Sequence, residues 1–220
     1  MIEKKFVEQS KKEFQIEEFI SETLKNAGHS HTRLLRTPLG DKVVIYTSRP
    51  GLVVGRGGQT ISKLTEVLRK RFSLENPQVE IAEIENANLD ARIVAEKIAS
   101  ALEKYGVNRF KGVMHKAIED VLAAGAQGVE IRLSGKLPSA RAKAWRVYGG
   151  NLRKCGDAAL KAVDRAIFTA QLKAGVIGIK VRIMPPGVVM PDDVKIIGPG
   201  EQKEALPAAA AVAAEQPEAA

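Results

Sequence analysis

Apolar residues recur at intervals of three and four near the start of the chain and predict a first helix over residues 16–27. Two short runs rich in β-branched residues follow at 33–37 and 43–47, and they predict strands joined by a turn. A second amphipathic helix is predicted over 59–72, and alternation of apolar and acidic residues predicts a strand over 79–84. The first part of the chain therefore reads helix, strand, strand, loop, helix, strand.

Two further amphipathic helices are predicted in the second part of the chain. Asn88 is a suitable cap for the first of them, which runs to Tyr105. The clearest apolar stripe of the sequence lies on the second, over 110–122, and Gly125 ends that helix. Each helix therefore presents one apolar face for burial.

The rest of this region shows strand patterns. Apolar and polar residues alternate at 129–133 and at 177–183, which predicts two strands with one buried face each. A further strand is predicted over 141–148. The segment 158–173 is ambiguous, because its alanines favour a helix while its β-branched residues stand at strand spacing.

These elements predict an α+β fold of two domains and a tail. Residues 1–86 form the first domain, and residues 87–186 form a second in which two helices pack on a mostly antiparallel sheet. The tail covers 187–220. Its last part, 205–220, consists of Ala, Pro and Glu with hardly another residue type and without periodicity, which predicts disorder.

The net charge of +8 is unevenly distributed. From Pro186 onward the chain holds two Lys or Arg and six Asp or Glu, so that the tail carries −4 and the body +12. A basic body favours a polyanion partner, either nucleic acid or an acidic membrane face. No apolar run is long enough to span a membrane, and the start lacks the apolar core of a signal peptide. The single cysteine, Cys155, excludes an internal disulfide, so a cytoplasmic protein is expected.

The pattern Gly-x-x-Gly occurs at 55–58, 125–128 and 175–178. Only the first instance contains a basic residue, follows a predicted strand and precedes a long amphipathic helix. Glycines let a sugar-phosphate backbone approach closely, Arg56 adds a cation, and the helix start presents free N–H groups. The loop Gly55-Arg56-Gly57-Gly58 is therefore a candidate binding site for single-stranded RNA, and a purely structural turn is the alternative.

Other phosphate-binding loops fit the glycines less well. A nucleoside-triphosphate loop requires Lys followed by Ser or Thr after its last glycine, and Gln59 and Thr60 stand there instead. The dinucleotide fingerprint Gly-x-Gly-x-x-Gly fails at the same positions.

A second concentration of cations lies around the predicted strand 141–148. Its members are Lys136, Arg141, Lys143 and Arg146, with Arg132 upstream and Arg153 and Lys154 downstream. In a strand, Arg141 and Lys143 share a face with Trp145, and cations beside an aromatic ring are a common arrangement for binding single strands. A solvated edge strand that resists aggregation is the alternative.

Four lysines lie near the N-terminus: Lys4, Lys5, Lys11 and Lys12. For these lysines, contact with ribosomal RNA and simple solvation are equally good interpretations.

Candidate catalytic groups are few. The chain holds three histidines: His29, His31 and His115. His29 and His31 lie two apart near a turn, and no cysteine or carboxylate stands nearby at metal-ligand spacing. Cys155 follows a lysine, which favours the thiolate, but it has no plausible base partner. We therefore predict no catalytic residue, no metal and no cofactor, and we expect a binding protein rather than an enzyme.

The segment from Pro50 to Gly58 resembles the signature of the KH domain, whose Gly-x-x-Gly loop clamps a short stretch of nucleic-acid backbone. The helix and strand that precede the loop unit resemble the type-II variant of that domain. The resemblance implies that the first domain is a type-II KH domain with a basic N-terminal arm. The implied RNA-binding residues are Gly55, Arg56, Gly57 and Gly58. Lys63, on a polar face of the following helix, is a further candidate for RNA contact.

Three separated segments make the family resemblance more specific: RTPLG at 36–40, SGKL at 134–137 and GVIGIKVRIM at 175–184. In this order they resemble the universal family of small-subunit ribosomal protein S3, and its archaeal and eukaryotic branch more than its bacterial one. The resemblance covers about residues 1–186, and the alanine-rich end departs from the family pattern.

The family resemblance implies a structural constituent of the head of the small ribosomal subunit. Its implied partners are small-subunit ribosomal RNA, messenger RNA on its path into the ribosome, and the neighbouring proteins S10 and S14. The segment that matches the family's messenger-RNA path carries Lys136, Arg141, Lys143 and Arg146. Two alternatives stay open, namely a free-standing KH-domain regulator or chaperone, and a nucleic-acid lyase or nuclease.

Overall fold

A computed structural model describes residues 2–25, 27–38, 40–72, 74 and 76–188. One compact unit reaches to Pro186, and a second unit begins at Gly187. From residue 189 onward, the predicted tail lies outside the described residues.

Among its described residues, the first half of the compact unit contains three α-helices, a short 3-10 helix at Arg56–Gly58 and three strands. Its elements are α1 (Ile2–Thr23), β1 (His29–Thr37), β2 (Gly40–Thr47), α2 (Pro50–Val54), α3 (Gln59–Phe72) and β3 (Gln78–Glu83). The strands form one sheet in the order β1-β2-β3, in which β2 pairs antiparallel with β1 and parallel with β3. The predicted order of elements is thereby confirmed.

Helix α1 begins much earlier than the apolar stripe predicts. Only Ile16 and Ile20 are buried on it, yet the helix extends back to Ile2. The added turns are rich in Lys, Glu and Gln, which favour a helix even without burial. The lysines of the predicted basic arm therefore lie on an exposed helix: Lys4, Lys5, Lys11 and Lys12.

The core of the first half forms where α1 and α3 contact each other and the sheet. It combines apolar residues from both helices, from β2 and from the buried position of α2. They are Ile16, Ile20, Leu24, Ala27, Val43, Ile45, Val53, Leu64, Leu68 and Leu74. This packing holds α2 and the start of α3, and hence the loop between them, against the sheet.

The second half contains three helices and four strands. Its elements are α4 (Ala91–Tyr105), α5 (Phe110–Ala123), β4 (Gly128–Gly135), β5 (Lys143–Gly150), α6 (Gly156–Lys161), β6 (Asp164–Leu172) and β7 (Gly175–Met184). The sheet has the order β5-β4-β7-β6, and every neighbouring pair is antiparallel. Helices α4 and α5 cover one face of it. The prediction of an α+β fold with helices on an antiparallel sheet is confirmed.

The cap of α4 differs from the prediction. Asp90, and not Asn88, precedes the helix, and its Oδ1 accepts hydrogen bonds from the amides of Arg92 at 2.8 Å and Ile93 at 3.2 Å. Asn88 instead accepts a hydrogen bond from Lys97. A carboxylate is favoured at this position because it also complements the positive end of the helix dipole.

The ambiguous segment 158–173 divides between a helix and a strand. Its first two alanines, Ala158 and Ala159, lie in the short α6, while β6 begins at Asp164 and pairs with β7 along its whole length. Alternate residues of β6 then join the core, among them Ala166 and Ala170. The strand forms because its backbone groups pair with those on the edge of β7 that does not face β4.

The buried cores of the two halves are separate clusters, and the boundary at 86–87 stays a prediction. The Arg92 side chain is one link between the halves. The Arg92 guanidinium at the start of α4 donates to the Glu17 carboxylate at 2.7 Å and to the Ser30 carbonyl at 3.2 Å. Glu17 lies on α1 and Ser30 on β1.

Candidate nucleic-acid interface

The loop between α2 and α3 has a backbone that favours glycine. Gly55 ends α2 with φ 72° and ψ −176°, and Gly57 has φ 59°. A Cβ atom on Gly55 would overlap the side chain of Thr60, so only glycine fits there without a shift. The loop therefore turns sharply from one helix into the next.

The outer side of this turn is open to a ligand. Arg56 and Gly57 are exposed, and no atom lies within 4 Å of the position that a Cβ on Gly57 would take. The loop leads directly into α3, a helix of 14 residues whose N-terminus carries a partial positive charge. An RNA phosphate can therefore approach the backbone closely beside a cation.

Helix α2 places exposed apolar side chains beside the loop. Val53 is fully buried and anchors the helix, whereas Leu52 and Val54 keep 55% and 39% of their surface exposed. Exposed apolar side chains next to a phosphate-binding turn provide a surface on which bases can pack.

The remaining predicted residue of this site, Lys63, is exposed on the second turn of α3. Lys70 lies seven residues further along, but its ammonium pairs with the Glu66 carboxylate at 2.5 Å. The hydrogen bond from Lys70 lowers the pKa of Glu66. Of these two lysines, Lys63 is therefore the better candidate for an RNA contact.

Three of the four predicted cations of the second domain gather at one end of the β4–β5 hairpin. Lys136 and Arg141 are exposed in the connection between the strands, and Lys143 is the first residue of β5. Leu137 is fully buried and fixes this connection to the core. Because β5 begins only at Lys143, the expectation that Arg141 shares a strand face with Trp145 is wrong.

Arg146 lies on the other face of the sheet from Lys143, since side chains alternate along a strand and the two are three residues apart. Its Nε donates to the Glu130 carboxylate at 3.0 Å, and the Lys154 ammonium and Arg182 guanidinium lie 3.8 and 3.9 Å from the same carboxylate. The four cations therefore do not form one patch.

One neighbour of this hairpin was not predicted as a site residue. The Lys111 ammonium lies 4.9 Å from the ring centroid of Trp145, whose ring also contacts Phe110 edge-on at 5.5 Å. Lys111 belongs to α5, and only the packing of α5 against β5 brings it beside Trp145. No signal in the sequence pointed to this pairing.

The candidate catalytic residues do not form a site. His29 is buried with its Nε2 bonded to the Thr32 hydroxyl, and His31 stacks on Tyr46 with ring centroids 4.2 Å apart. Cys155 is exposed. Within the part of the chain that the structure describes, no three His, Cys, Asp or Glu side chains lie close enough to hold a metal. Over the same residues, no helix is both long and apolar enough to cross a membrane.

Comparison with known protein families defines the class first. The KH domain family matches residues 15–89, which include both helices that flank the glycine loop. The family "Ribosomal protein S3, C-terminal domain" matches residues 98–183, which cover most of the second half. The chain is thus a KH-domain protein with a ribosomal second domain.

Relatives from archaea narrow the class to one family. The "Small ribosomal subunit protein uS3" of Methanocaldococcus jannaschii is 41% identical over 94% of this chain and 98% of its own length. The protein of the same name from Methanothermobacter thermautotrophicus is 43% identical over 87% of this chain and 74% of its own length. The chain belongs to the uS3 family. This membership confirms the prediction of an archaeal-like ribosomal protein rather than an enzyme.

Proposed function

We propose that the chain is a structural constituent of the small ribosomal subunit that binds small-subunit ribosomal RNA and borders the path along which messenger RNA enters. The observation that carries this proposal is the similarity to a small-subunit protein over 94% of the chain, because it includes both domains. The body charge of +12 supports a polyanion partner. Contacts with proteins S10 and S14 in the cytoplasmic particle are part of the same proposal.

The glycine loop binds single-stranded RNA in this proposal. Gly55 and Gly57 let the sugar-phosphate chain approach the backbone, Arg56 neutralises a phosphate, and the start of α3 contributes its dipole. Lys63 extends the cationic side of the site by one turn.

The end of the β4–β5 hairpin borders the messenger-RNA path in this proposal. Lys136, Arg141 and Lys143 supply cations there, and Trp145 is 38% exposed beside them. Cations next to a partly exposed aromatic ring suit a single strand that moves past, because phosphates and bases both find contacts without sequence preference. Arg146 contributes from the other face of the same strand.

A free-standing KH-domain regulator would use the same loop but would bind ribosomes weakly. Sedimentation of tagged chain with small subunits through a high-salt wash separates the two functions. A ribosomal constituent stays in the subunit fraction, whereas loss of the chain to the supernatant contradicts the proposal.

Replacement of Arg56 and Gly57 by Asp should weaken binding of a single-stranded RNA and leave the fold intact. Two carboxylates in an exposed turn repel phosphate, and loss of one phosphate contact lowers the magnitude of the salt slope by about 0.7. A filter-binding titration at several salt concentrations measures both effects, with circular dichroism as the check on folding. Gly57→Asn is the matched control, because Asn tolerates positive φ and adds no charge. Unchanged affinity in the folded double variant would make the loop a structural turn only.

Replacement of Arg141 and Lys143 by Ala should slow translation of messages with a hairpin just downstream more than that of unstructured messages. Separation of the two strands of the hairpin requires tight binding of the incoming strand, and each lost cation removes about one phosphate contact. The measurement compares ribosomes that carry wild-type or variant protein at equal occupancy. Equal rates on both messages contradict the proposed path, and failure of the variant to enter subunits makes these residues ribosomal-RNA anchors instead.

A further inference from the structure

The sheet of the second domain has one face covered by α4 and α5. The opposite face is partly covered, because the connection after β5 places Lys154 beside Glu130 and the Ala159 carbonyl of α6 accepts a hydrogen bond from Arg165, whereas Arg132 and Lys180 are exposed on it. The apolar residues of its strands pack against α4 and α5, and the residues that alternate with them point to the opposite side, which we call the outer face. Six cations lie on the outer face, five from the strands and one from the connection after β5. They are Arg132, Arg146, Lys154, Arg165, Lys180 and Arg182.

The strand register sets like charges directly opposite each other. On β4, Arg132 faces Arg146 of β5 on one side and Lys180 of β7 on the other. A third pair joins Arg165 of β6 to Arg182 of β7. Like charges in such positions destabilise a sheet. Solubility alone does not require this arrangement, since cations and anions in alternation serve it as well.

One carboxylate offsets part of this repulsion in the described sheet. Glu130 is 8% exposed and lies within 4 Å of the side-chain nitrogens of Arg146, Lys154 and Arg182. These three cations nevertheless keep 44–47% of their side-chain surface exposed. The outer face therefore retains a surplus of positive charge that points to solvent.

We propose that the outer face binds the phosphate backbone of paired RNA. The cations stand on adjacent strands about 4.8 Å apart, so that they form a compact flat array rather than a groove. A polyanion laid across this array would relieve the repulsion that the register creates. The inference rests on the proposed ribosomal function only for the source of the RNA.

Paired RNA suits the outer face better than a single strand. Sheets that bind single-stranded RNA stack bases on aromatic residues of their central strands. On the outer face, the central strands β4 and β7 present Glu130, Arg132, Ser134, Gly178, Lys180 and Arg182, without an aromatic ring. The one aromatic residue, Tyr148, lies on the edge strand β5 and has the Arg146 guanidinium over its ring. Double-stranded RNA is recognised mainly through its backbone, which requires cations and no stacking platform.

An acidic protein partner fits the outer face less well than RNA. Protein interfaces concentrate their binding energy in apolar and aromatic residues near the centre of the contact. Here the exposed apolar residues lie towards the edges of the sheet, namely Ile167 on β6, Tyr148 on β5, and Val176 at the end of β7 beyond its pairing with β4. The centre is charged.

Arg132→Gln with Lys180→Gln tests the proposal in the full chain. The control is Lys104→Gln with Lys116→Gln, which removes the same charge from exposed positions on the helices that cover the other face. Binding of an RNA duplex and of a uridine oligonucleotide of equal length is measured by fluorescence anisotropy over a range of salt. We expect the outer-face variant to lose about tenfold or more in affinity for the duplex and to lower the magnitude of its salt slope by about 1.8. The control should change neither the affinity for the duplex nor the salt slope by more than a small fraction of these amounts.

The loop variant with Arg56 and Gly57 replaced by Asp separates this proposal from the proposed function of the glycine loop. It should lose affinity for the oligonucleotide and keep its affinity for the duplex, whereas the outer-face variant should show the reverse. Equal losses in the outer-face variant and its lysine control overturn the proposal, because net charge then explains them. Unchanged duplex affinity also overturns it, and a simultaneous loss of polyglutamate binding would assign the face to an acidic protein. If the double variant does not fold, Lys180→Gln with Lys104→Gln as control should give half the change in slope.

Discussion

At the scale of single residues, His29 shows how burial decides the charge of a group. The side chain is 4% exposed, and burial, followed by the nearby Arg92 and His31, lowers its pKa to about 4 in spite of Asp90. Its Nε2 atom lies 2.8 Å from the Thr32 hydroxyl. The imidazole is therefore neutral in the folded protein at neutral pH, and protonation would place a second positive charge beside the Arg92 guanidinium.

The free energy of unfolding should fall as the pH is lowered from about 6.5 to about 4. In this window the unfolded chain protonates His29 near its ordinary pKa of 6.5, whereas the folded chain does so only near 4. The unfolded state thus binds more protons, and stability decreases with falling pH by up to about 3 kcal/mol. Urea titrations at several pH values measure this. His29→Gln is the control, since it should show a shallower loss, and parallel curves for both proteins would rule out His29 as the cause.

At the scale of elements, β4 combines an inner face that stabilises the domain with an outer face that opposes it. Val129, Ile131 and Leu133 are fully buried in the core. Arg132 stands between two cations of the neighbouring strands. The strand is stable because burial of its apolar residues outweighs the repulsion on its other side.

Arg132→Thr should raise the stability of the free protein by about 0.5–1 kcal/mol at low salt. The substitution removes a cation that stands opposite two other cations, and Thr suits a strand position. The gain should shrink as salt screens the repulsion. Lys42→Thr is a matched contrast, since Lys42 on β2 pairs with Glu80 at 2.6 Å and its loss should lower stability slightly. Thermal melts at low and high salt measure both. A loss of stability in Arg132→Thr would show that the repulsion is not significant.

At the scale of the whole molecule, the two domains have separate cores and share a polar link. Arg92 belongs to α4 of the second domain, while its partners Glu17 and the Ser30 carbonyl belong to the first. Both charged side chains are partly buried, with 34% and 37% of their surface exposed. The same guanidinium nitrogen, Nη1, donates to both acceptors, and such charge-assisted hydrogen bonds fix orientation because they require one geometry.

Arg92→Ala should weaken the coupling between the domains and leave each core intact. We expect a loss of about 1–2 kcal/mol and faster proteolysis in the connection 84–90, since a charge-assisted contact is removed and no apolar core is altered. Calorimetry and limited proteolysis of the full chain measure these effects. Lys70→Ala, which breaks an ion pair within one helix, should leave the connection as resistant as before. Equal cleavage of both variants would contradict a coupling role for Arg92.

Much of the molecule follows from local pattern. The periodicities predict the order of the elements, and the glycines with Arg56 identify the loop, because turn geometry and helix starts depend on neighbouring residues. The segment that splits into α6 and β6 was not predictable, since its strand part is determined by pairing with β7, which lies later in the chain. The cap at Asp90 was missed because Asn88 offers the same chemistry two residues earlier.

The amino-acid pattern alone is enough to predict the class of fold, the KH loop, the family resemblance and the excess of cations. Which cations stand together depends on the tertiary structure. Arg146 is close in sequence to Lys143 but lies on the opposite face, while Lys180 and Arg132 are far apart in the chain and directly opposite in the sheet. The physical reason is that alternation along a strand can be read locally, whereas register between strands depends on the packing of the whole domain.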